Sequence, residues 1–406
     1  MNRRARCLLA SVLLCMTMAV ASAAPGRTPG APGLSWETAL RDKGLAASED
    51  VLQGMTQTPG IGFMLGGVRF LRSLEYMLQV RYQNSPTTFR MIPGMSASLP
   101  ENPKAVFHPE FLDQAMSGAL ILLSAAETSL QTSLGKKFTI QVDMRDIWLD
   151  VDKDGVRDEW EGLLDLVRTV RRSGSTPFEG TIQFDRADAQ WLCAYIHLLS
   201  GCAELVLSID TTPALQQVRE GRSAMEALGP LAPLGISRDE NFLETLTSLV
   251  LALRGVPDRT RTRSARVHFK EMVRHNRLFW QDVEQETDDV LEWLPNSRQS
   301  SAIGVPVQKD VAQNWQVVLD EFDAILDGQK LIPYWRMARG KDSKTGVGVN
   351  LFRLLEDPGD MDPILWIQGS GAVPFLEEGE LLDRAALRNF RKSAAGNMML
   401  YAIWFN

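Results

Sequence analysis

The sequence predicts a mainly α-helical protein: a helical body, a short strand that leads into an acidic loop, and a small β-containing C-terminal part. Apolar residues recur at helical spacing from Leu34 to about Leu134, and again after the acidic loop to about residue 328. Between these stretches, residues 138–144 alternate apolar and polar, as a half-buried strand does. From Leu331 onward, aromatic and β-branched runs are separated by Gly, Pro and Asp turns.

The chain begins with a stretch typical of a secretory signal peptide, residues 1–23. Three arginines precede an apolar run from Cys7 to Val20, and the run ends in the small residues Ala-Ser-Ala. This run is shorter than the ~20 residues that a membrane-spanning helix needs. We therefore expect cleavage after Ala23 and a mature protein in the periplasm or outside the cell. The bulky residues before Cys15 disfavour a lipoprotein signal.

The remaining chain is long enough for one or two domains. Residues 24–33 are rich in Pro and Gly and predict a flexible leader. We assign residues 34–330 to a mainly helical domain that contains the acidic loop, and residues 331–406 to an α/β C-terminal region. The pattern leaves open whether that region is a domain of its own or part of the helical domain.

The clearest helices of the body are predicted at Ile61–Tyr82, Pro109–Ser133 and Val311–Leu326. The last of these carries one apolar stripe and is followed by Gly328, a C-cap residue. The glycine-rich residues 60–67 follow no strand and lack the G-x-G-x-x-G spacing of a dinucleotide site. We expect these glycines to allow close packing of helices.

The overall composition is that of a globular protein, with 45% hydrophobic and 23% charged residues. The formal net charge of −7 argues against nucleic acid as the main partner. After the signal peptide, the longest apolar stretch is residues 119–126, which is too short to cross a bilayer. We therefore expect no membrane-spanning segment in the mature chain.

The acidic loop, residues 150–161, reads DVDKDGVRDEWE and matches D-x-[DN]-x-[DN]-G-x5-E at every position. It resembles the calcium loop of EF-hand proteins, over these residues and the helix after them. The resemblance implies one Ca²⁺ held by side-chain oxygens, one backbone carbonyl and a bidentate glutamate. The ligands so implied are Asp150, Asp152, Asp154, Val156 through its carbonyl, Asp158 directly or through water, and Glu161.

The acidic loop departs from the EF-hand pattern on its preceding side, where the strand stands in place of a helix. Arg157 occupies a position that is usually apolar, and the sequence contains no second acidic loop. Without two helices that change their angle, we expect the calcium to stabilise and not to regulate, joining the strand to a helix at Glu159–Arg171. The alternative is an acidic turn that caps this helix without a metal. Mutual repulsion of the carboxylates in this loop favours the cation.

Three histidines, His197, His268 and His275, have alternative interpretations. His268, Glu271 and His275 share one edge of a predicted helix and could bind a transition metal. Their spacing matches neither H-E-x-x-H nor E-x-x-H, so we favour the border of a packed face. His197 lies among apolar residues and is interpreted as a core histidine with satisfied hydrogen bonds.

The mature chain keeps two cysteines, Cys193 and Cys202. In one continuous helix they would lie ~13 Å apart along the axis, well beyond the reach of a disulfide. Pairing requires a break at Ser200-Gly201. Because residues 195–206 follow a helical apolar stripe, we favour two unpaired, buried thiols.

A basic patch interrupts the otherwise acidic chain. One interpretation is a surface for an anionic envelope polymer or a lipid headgroup. The other, which we favour, is a solvated helix face that pairs with the acidic residues 282–292. The basic patch consists of Arg259, Arg261, Arg263, Arg266, Lys270, Arg274 and Arg277.

The sequence contains no recognisable catalytic residues and indicates no organic cofactor. It predicts an exported calcium-binding protein, a binding or structural component of the cell envelope, with Ca²⁺ as its ion. The alternative is an extracytoplasmic hydrolase whose site is assembled from carboxylates far apart in the chain. Its ligand or substrate is unknown.

Overall fold

The computed structural model describes residues 35–84, 99–167, 180–231, 242–303, 309–337 and 343–393, together with Met95 and Ala97. The predicted signal peptide and flexible leader lie outside the described residues. The fold is mainly α-helical, as predicted.

The helices and strands follow one another in this order along the chain. They are α1 (Trp36–Gln53), α2 (Pro59–Asn84), α3 (Phe111–Leu130), β1 (Thr139–Asp143), α4 (Leu163–Val167), β2 (Thr181–Asp185), α5 (Arg186–Leu207), α6 (Thr212–Leu228), α7 (Phe242–Ala252), α8 (Arg259–Val283), α9 (Lys309–Leu326), β3 (Ile332–Pro333), β4 (Thr345–Val349), α10 (Leu351–Glu356), α11 (Pro363–Gln368), β5 (Leu376–Glu380) and α12 (Arg384–Ser393).

The main core lies where α2, α3, α5 and α8 pack side by side. Small residues permit the close contact of α2 with α3. A Cβ at Gly62 would lie 1.7 Å from the Thr132 hydroxyl oxygen, and one at Gly66 would lie 2.6 Å from Leu130. The predicted close packing of helices is therefore confirmed at Gly62 and Gly66.

The central helix of this core is α5. It is the one helix among the described residues whose length and apolar composition would suit a membrane span, and 72% of its apolar window is buried inside the fold. Both cysteines lie on α5, which continues without a break through Ser200 and Gly201, and both thiols are free. The preference for unpaired cysteines is confirmed.

The strand predicted at residues 138–144 is present as β1. It pairs antiparallel with β2, with Thr139 opposite Asp185 and Asp143 opposite Thr181. Residue Gln183 extends this pairing by donating its backbone N–H to the Leu291 carbonyl, 2.9 Å away. This small sheet therefore fixes the segment that leads into the acidic loop.

The C-terminal region contains the predicted β structure, a sheet of order β3-β4-β5 with antiparallel neighbours. This region has a separate small hydrophobic core, which contains Tyr334, Val349, Ala372 and Phe375. Helix α12 contacts the main core instead, because Phe390 is 1% exposed and its ring lies 5.2 Å from that of Trp315 on α9. The C-terminal region is therefore packed onto the helical body.

Several predicted boundaries agree with the structure. Helices α2, α3 and α9 correspond to the three helices named from the sequence, and Gly328 follows α9 with a φ of 69°. The start of the helix predicted at Glu159–Arg171 was placed too early, and residues 168–171 of that prediction lie outside the described residues. The helix begins at Leu163, because Gly162 pairs with Trp148 in a short antiparallel bridge that precedes the helix.

Candidate functional sites

The neck of the acidic loop is a two-stranded bridge. After β1 and a short 3-10 turn, the Leu149 N–H donates to the Glu161 carbonyl at 3.0 Å. The Leu163 N–H donates to the Ile147 carbonyl, also at 3.0 Å. Because both ends of the loop are held together, its acidic side chains share a small volume.

Three aspartates of the loop converge. One carboxylate oxygen from each of Asp150, Asp152 and Asp154 lies within 4.8 Å of the other two. Calcium binds oxygen at about 2.4 Å, so oxygens up to twice that distance apart can share one ion. The spacing of these three carboxylates therefore fits Ca²⁺.

Tight turns of the backbone bring these aspartates together. Gly155 has a φ of 74°, a left-handed conformation that glycine adopts without steric cost. Its N–H donates to Asp150 Oδ1 at 3.3 Å, across the turn. The Asp154 N–H donates to Asp152 Oδ1 at 3.1 Å, and the Val156 N–H donates to Asp154 Oδ1 at 2.7 Å. The carboxylates are thus held by the loop itself.

The other implied ligands occupy different places in the loop. Glu161 is fully buried and accepts the N–H groups of Val151 at 2.7 Å and Asp158 at 3.1 Å. Burial raises its pKa to about 7. Asp158 Oδ2 accepts the indole N–H of Trp160 at 2.9 Å. Backbone donors therefore hold the Glu161 carboxylate, and Oε2, which accepts the Asp158 N–H, keeps a second lone pair.

Helix α2 anchors the start of the loop. Glu75 Oε1 accepts the Asp150 N–H at 2.9 Å, and one turn later Gln79 donates to the Asp150 carbonyl at 2.6 Å. Burial raises the pKa of Glu75 to about 8, and the nearby carboxylates of Asp150 and Glu161 act in the same direction. A core helix thus fixes the first implied ligand.

Trp148 ties the same neck to α1. Its indole N–H lies 3.1 Å from the carbonyl oxygens of both Leu40 and Arg41. These carbonyls precede a kink at Gly44, where φ is 81° and a Cβ would lie 3.1 Å from the Trp148 ring. Hydrogen bonds therefore connect the acidic loop and its neck to two helices, α1 and α2.

A second candidate site lies between α3, α5 and α8, which we call the histidine cluster: His197, His268, His275, Glu127 and Glu271. The Nδ1 atoms of His197 and His268 are 3.0 Å apart. The His197 and His275 rings stack at 24°, with their centroids 5.5 Å apart. One ligand atom from each of His197, Glu271 and His275 lies within 4.8 Å of the others.

The imidazoles of the histidine cluster are held in the neutral form. Burial lowers the pKa of His197 to about 3 and that of His275 to about 4. Burial also lowers the pKa of His268. Each ring therefore keeps one lone pair on nitrogen at neutral pH.

The prediction that His197 is a core histidine is confirmed, but the expectation that its hydrogen bonds are all satisfied was wrong. It is 5% exposed, but among the described residues its Nε2 has no hydrogen-bond partner. The sequence showed the edge of α8 and the isolated His197 separately, because they are far apart in the chain. The packing of α5 against α8 joins them.

The basic patch has carboxylate partners throughout. Its residues pair with groups on α5, α8, α9 and the end of α10, while Asp282 of the acidic stretch pairs with Arg186. The prediction that the basic patch pairs with residues 282–292 was therefore wrong. The basic face of α8 turns toward α9 and α10 instead. The acidic partners are Glu204, Glu271, Asp320, Asp323, Asp327, Glu356 and Asp357.

A broad depression of about 650 Å³ opens beside the end of α2. Its lining is mostly polar: four amide side chains, together with Lys104, Val106, His108 and Glu110. The depression contains none of the aspartates of the acidic loop and none of the histidine cluster. It adds no further grouping of metal ligands.

Comparison of the chain with protein-family models, with curated proteins and with solved structures finds no match. The two candidate sites therefore stand on their own geometry and chemistry.

Proposed function

We propose that this chain is an exported calcium-binding protein in which one Ca²⁺ stabilises the fold, and that it serves as a binding or structural component of the cell envelope. The observation that carries the calcium assignment is the convergence of Asp150, Asp152 and Asp154 within 4.8 Å, inside a loop that matches the EF-hand consensus. The predicted ligands are these three with Val156, Asp158 and Glu161.

Charge neutralisation is the physical reason for the stabilisation. Desolvation by burial raises the pKa of Asp152, and the carboxylates of Asp154 and Asp150 add to the effect. A divalent cation between these groups removes the repulsion and replaces the lost hydration with direct ligation. Since the unfolded chain holds no such arrangement, the free energy of binding becomes free energy of folding.

The position of the loop supports a structural role for the ion. The loop lies between a short strand and a helix, and Glu75 and Gln79 fix its start to α2. A calcium sensor responds by changing the angle between two flanking helices. Here β1 occupies the place of the preceding helix. Binding is therefore expected to tighten the neck of the loop.

Export is the second half of the proposal and rests on residues 1–23 of the sequence. Calcium outside the cytoplasm can be abundant, so a site with a Kd as weak as ~10⁻⁴ to 10⁻³ M would be occupied there. Sequencing the N terminus of the protein recovered from an exporting host tests this. A mature chain that begins at Ala24 is expected, and an uncleaved chain retained in the cytoplasm would contradict it.

Calorimetry and thermal unfolding test the calcium site. Protein treated with EDTA should bind one Ca²⁺ with measurable heat. At a calcium concentration about 100 times the Kd, the free energy of unfolding should rise by about 2.7 kcal/mol. Asp152→Asn should weaken binding at least about tenfold, because it removes one charged ligand.

Glu159→Gln supplies the matched control. Glu159 is an exposed acid inside the same loop, at a position that contributes no ligand in the EF-hand pattern. Its variant should keep the wild-type affinity. Equal unfolding midpoints with calcium and with EDTA, together with no heat of binding, would refute the calcium assignment.

A further inference from the structure

We propose that the histidine cluster is a second metal site, which binds a divalent transition-metal ion such as Zn²⁺ through His197, His275, Glu271 and Glu127. This site is separate from the acidic loop and does not depend on calcium. Imidazole nitrogen suits Zn²⁺ and related ions, whereas Ca²⁺ selects oxygen ligands.

The orientation of His275 is that of a metal ligand. Its Nδ1 lies 2.6 Å from Gln190 Oε1. Because an amide oxygen only accepts, Nδ1 carries the proton and the lone pair is on Nε2. Zinc-binding histidines commonly donate their second ring N–H to a fixed acceptor in this way, which sets both tautomer and ring direction.

His197 is arranged similarly. Its Nδ1 is 3.0 Å from Nδ1 of His268, which serves as the acceptor when His197 donates. That tautomer leaves a lone pair on Nε2, the buried nitrogen without a hydrogen-bond partner among the described residues. An unpaired polar atom inside a protein costs free energy, which a bound cation would recover. His268 is thus a positioning residue.

The distances suit a tetrahedral ion after small movements. Zinc with bonds of about 2.0 to 2.1 Å holds neighbouring ligand atoms about 3.3 Å apart. Glu127 Oε1 lies 3.6 Å from His197 Nε2, close to that spacing. The ligand atoms of His197, Glu271 and His275 lie within 4.8 Å of one another, so they need to approach by no more than about 1.5 Å.

In this structure the Arg274 guanidinium contacts two of the side chains that are proposed to bind the metal ion. One of its guanidinium nitrogens lies 2.6 Å from His275 Nε2, and its Nε donates to Glu271 Oε2 at 2.6 Å. The same two side chains are proposed as metal ligands. The Arg274 side chain is 53% exposed, so it can turn into solvent when a metal ion enters. Removing the guanidinium should therefore strengthen metal binding.

The test uses the mature chain with saturating Ca²⁺, so that the acidic loop is filled. Co²⁺ is added first, because its visible absorption distinguishes tetrahedral from octahedral coordination, and Zn²⁺ is then used to displace it. We expect one Co²⁺ per chain, a tetrahedral spectrum and displacement by Zn²⁺. Absence of binding, or an octahedral spectrum, would overturn the proposal.

Variants locate the ion. His275→Ala and Glu271→Gln should each weaken Zn²⁺ binding by about 100-fold or more, and His268→Ala by about 10- to 100-fold. Arg274→Ala should tighten Zn²⁺ binding.

Glu271 is only partly buried, so its variant is expected to fold even if a histidine variant does not. His108→Ala is the matched control, since His108 is the one histidine outside the cluster. Affinity unchanged in both His275→Ala and Glu271→Gln would overturn the assignment.

Discussion

Gly62 shows how strongly a single position can constrain this fold. The absence of a side chain there lets α2 approach the segment after α3, and a Cβ would also lie 3.0 Å from the Ser129 carbonyl oxygen. A backbone carbonyl cannot move aside as a flexible side chain can. The contact between the two helices therefore depends on glycine at this position.

We predict that Gly62→Ala lowers the free energy of unfolding by about 1 to 3 kcal/mol, because the added methyl group overpacks the contact. Urea unfolding measures the change. The matched control is Gly221→Ala on α6, where nothing lies within 4 Å of the added Cβ. Replacing glycine by alanine inside an open helix should instead stabilise by about 0.5 to 1 kcal/mol. A neutral Gly62→Ala variant would contradict the close approach of α2 to α3.

The aspartates and histidines differ in how much the sequence reveals of them. Asp150, Asp152 and Asp154 lie within a few residues of each other, so their alternation alone indicates a shared ion. His197 and His275 are on separate helices. No local spacing connects them, and their imidazoles meet only because α5 packs against α8.

The junction of β2 with α5 concentrates buried acids. Asp185 and Asp188 form a capping box at the start of α5. The segment that contains Glu286 and Glu292 packs beside them through the bridge of Glu292 with Gln183. Burial, reinforced by neighbouring carboxylates, raises the pKa of Glu286 and Asp188 and raises that of Glu292 to about 7. This junction should therefore be more stable when protonated.

We predict that Glu292 makes the protein less stable as the pH rises from 4.5 to about 7. Across this window the unfolded chain has released the Glu292 proton while the folded chain keeps it, so rising pH favours unfolding. The loss should be up to about 3 kcal/mol for this group. Glu292→Gln cannot ionise and should remove this part of the pH dependence. Urea unfolding of both proteins across the window measures it.

The control for this comparison is Glu101→Gln, which changes an exposed glutamate outside the junction. Its unfolding free energy should follow the wild-type pH dependence. If Glu292→Gln does the same, burial of the Glu292 carboxyl does not contribute to the pH dependence of stability.

The contact of α12 with α9 joins the C-terminal region to the main core. Phe390 is buried against Trp315 in the main core, although it follows the C-terminal sheet in the chain. The small core around Phe375 is separate from this contact. The C-terminal region thus contributes to the stability of the helical body.

We predict that Phe390→Ala destabilises the whole protein by about 3 to 5 kcal/mol, as expected for truncation of a fully buried aromatic ring. Unfolding followed by far-UV circular dichroism should remain a single transition at a lower midpoint. Leu228→Ala, at a side chain that is 91% exposed, serves as the control and should leave the midpoint unchanged. Two transitions, with only one shifted by Phe390→Ala, would show instead that the C-terminal region is an independent domain.

Local patterns in the sequence were sufficient for helices α2, α3 and α9, the strand β1 and the spacing of carboxylates in the acidic loop. Each of these depends on residues close together in the chain, through helical periodicity, alternation or a turn glycine. The start of α4 was misplaced, since the bridge of Trp148 with Gly162 is formed between the two sides of the loop.

Long-range packing, in contrast, assembled the histidine cluster and selected the partners of the basic patch. Three helices supply the cluster, and the acids opposite α8 come from elements up to about a hundred residues away, as in the Arg259–Asp357 pair. Spacing along the chain carries no information about such contacts. They are set by which helix faces bury their apolar residues together, and this is decided when the core forms.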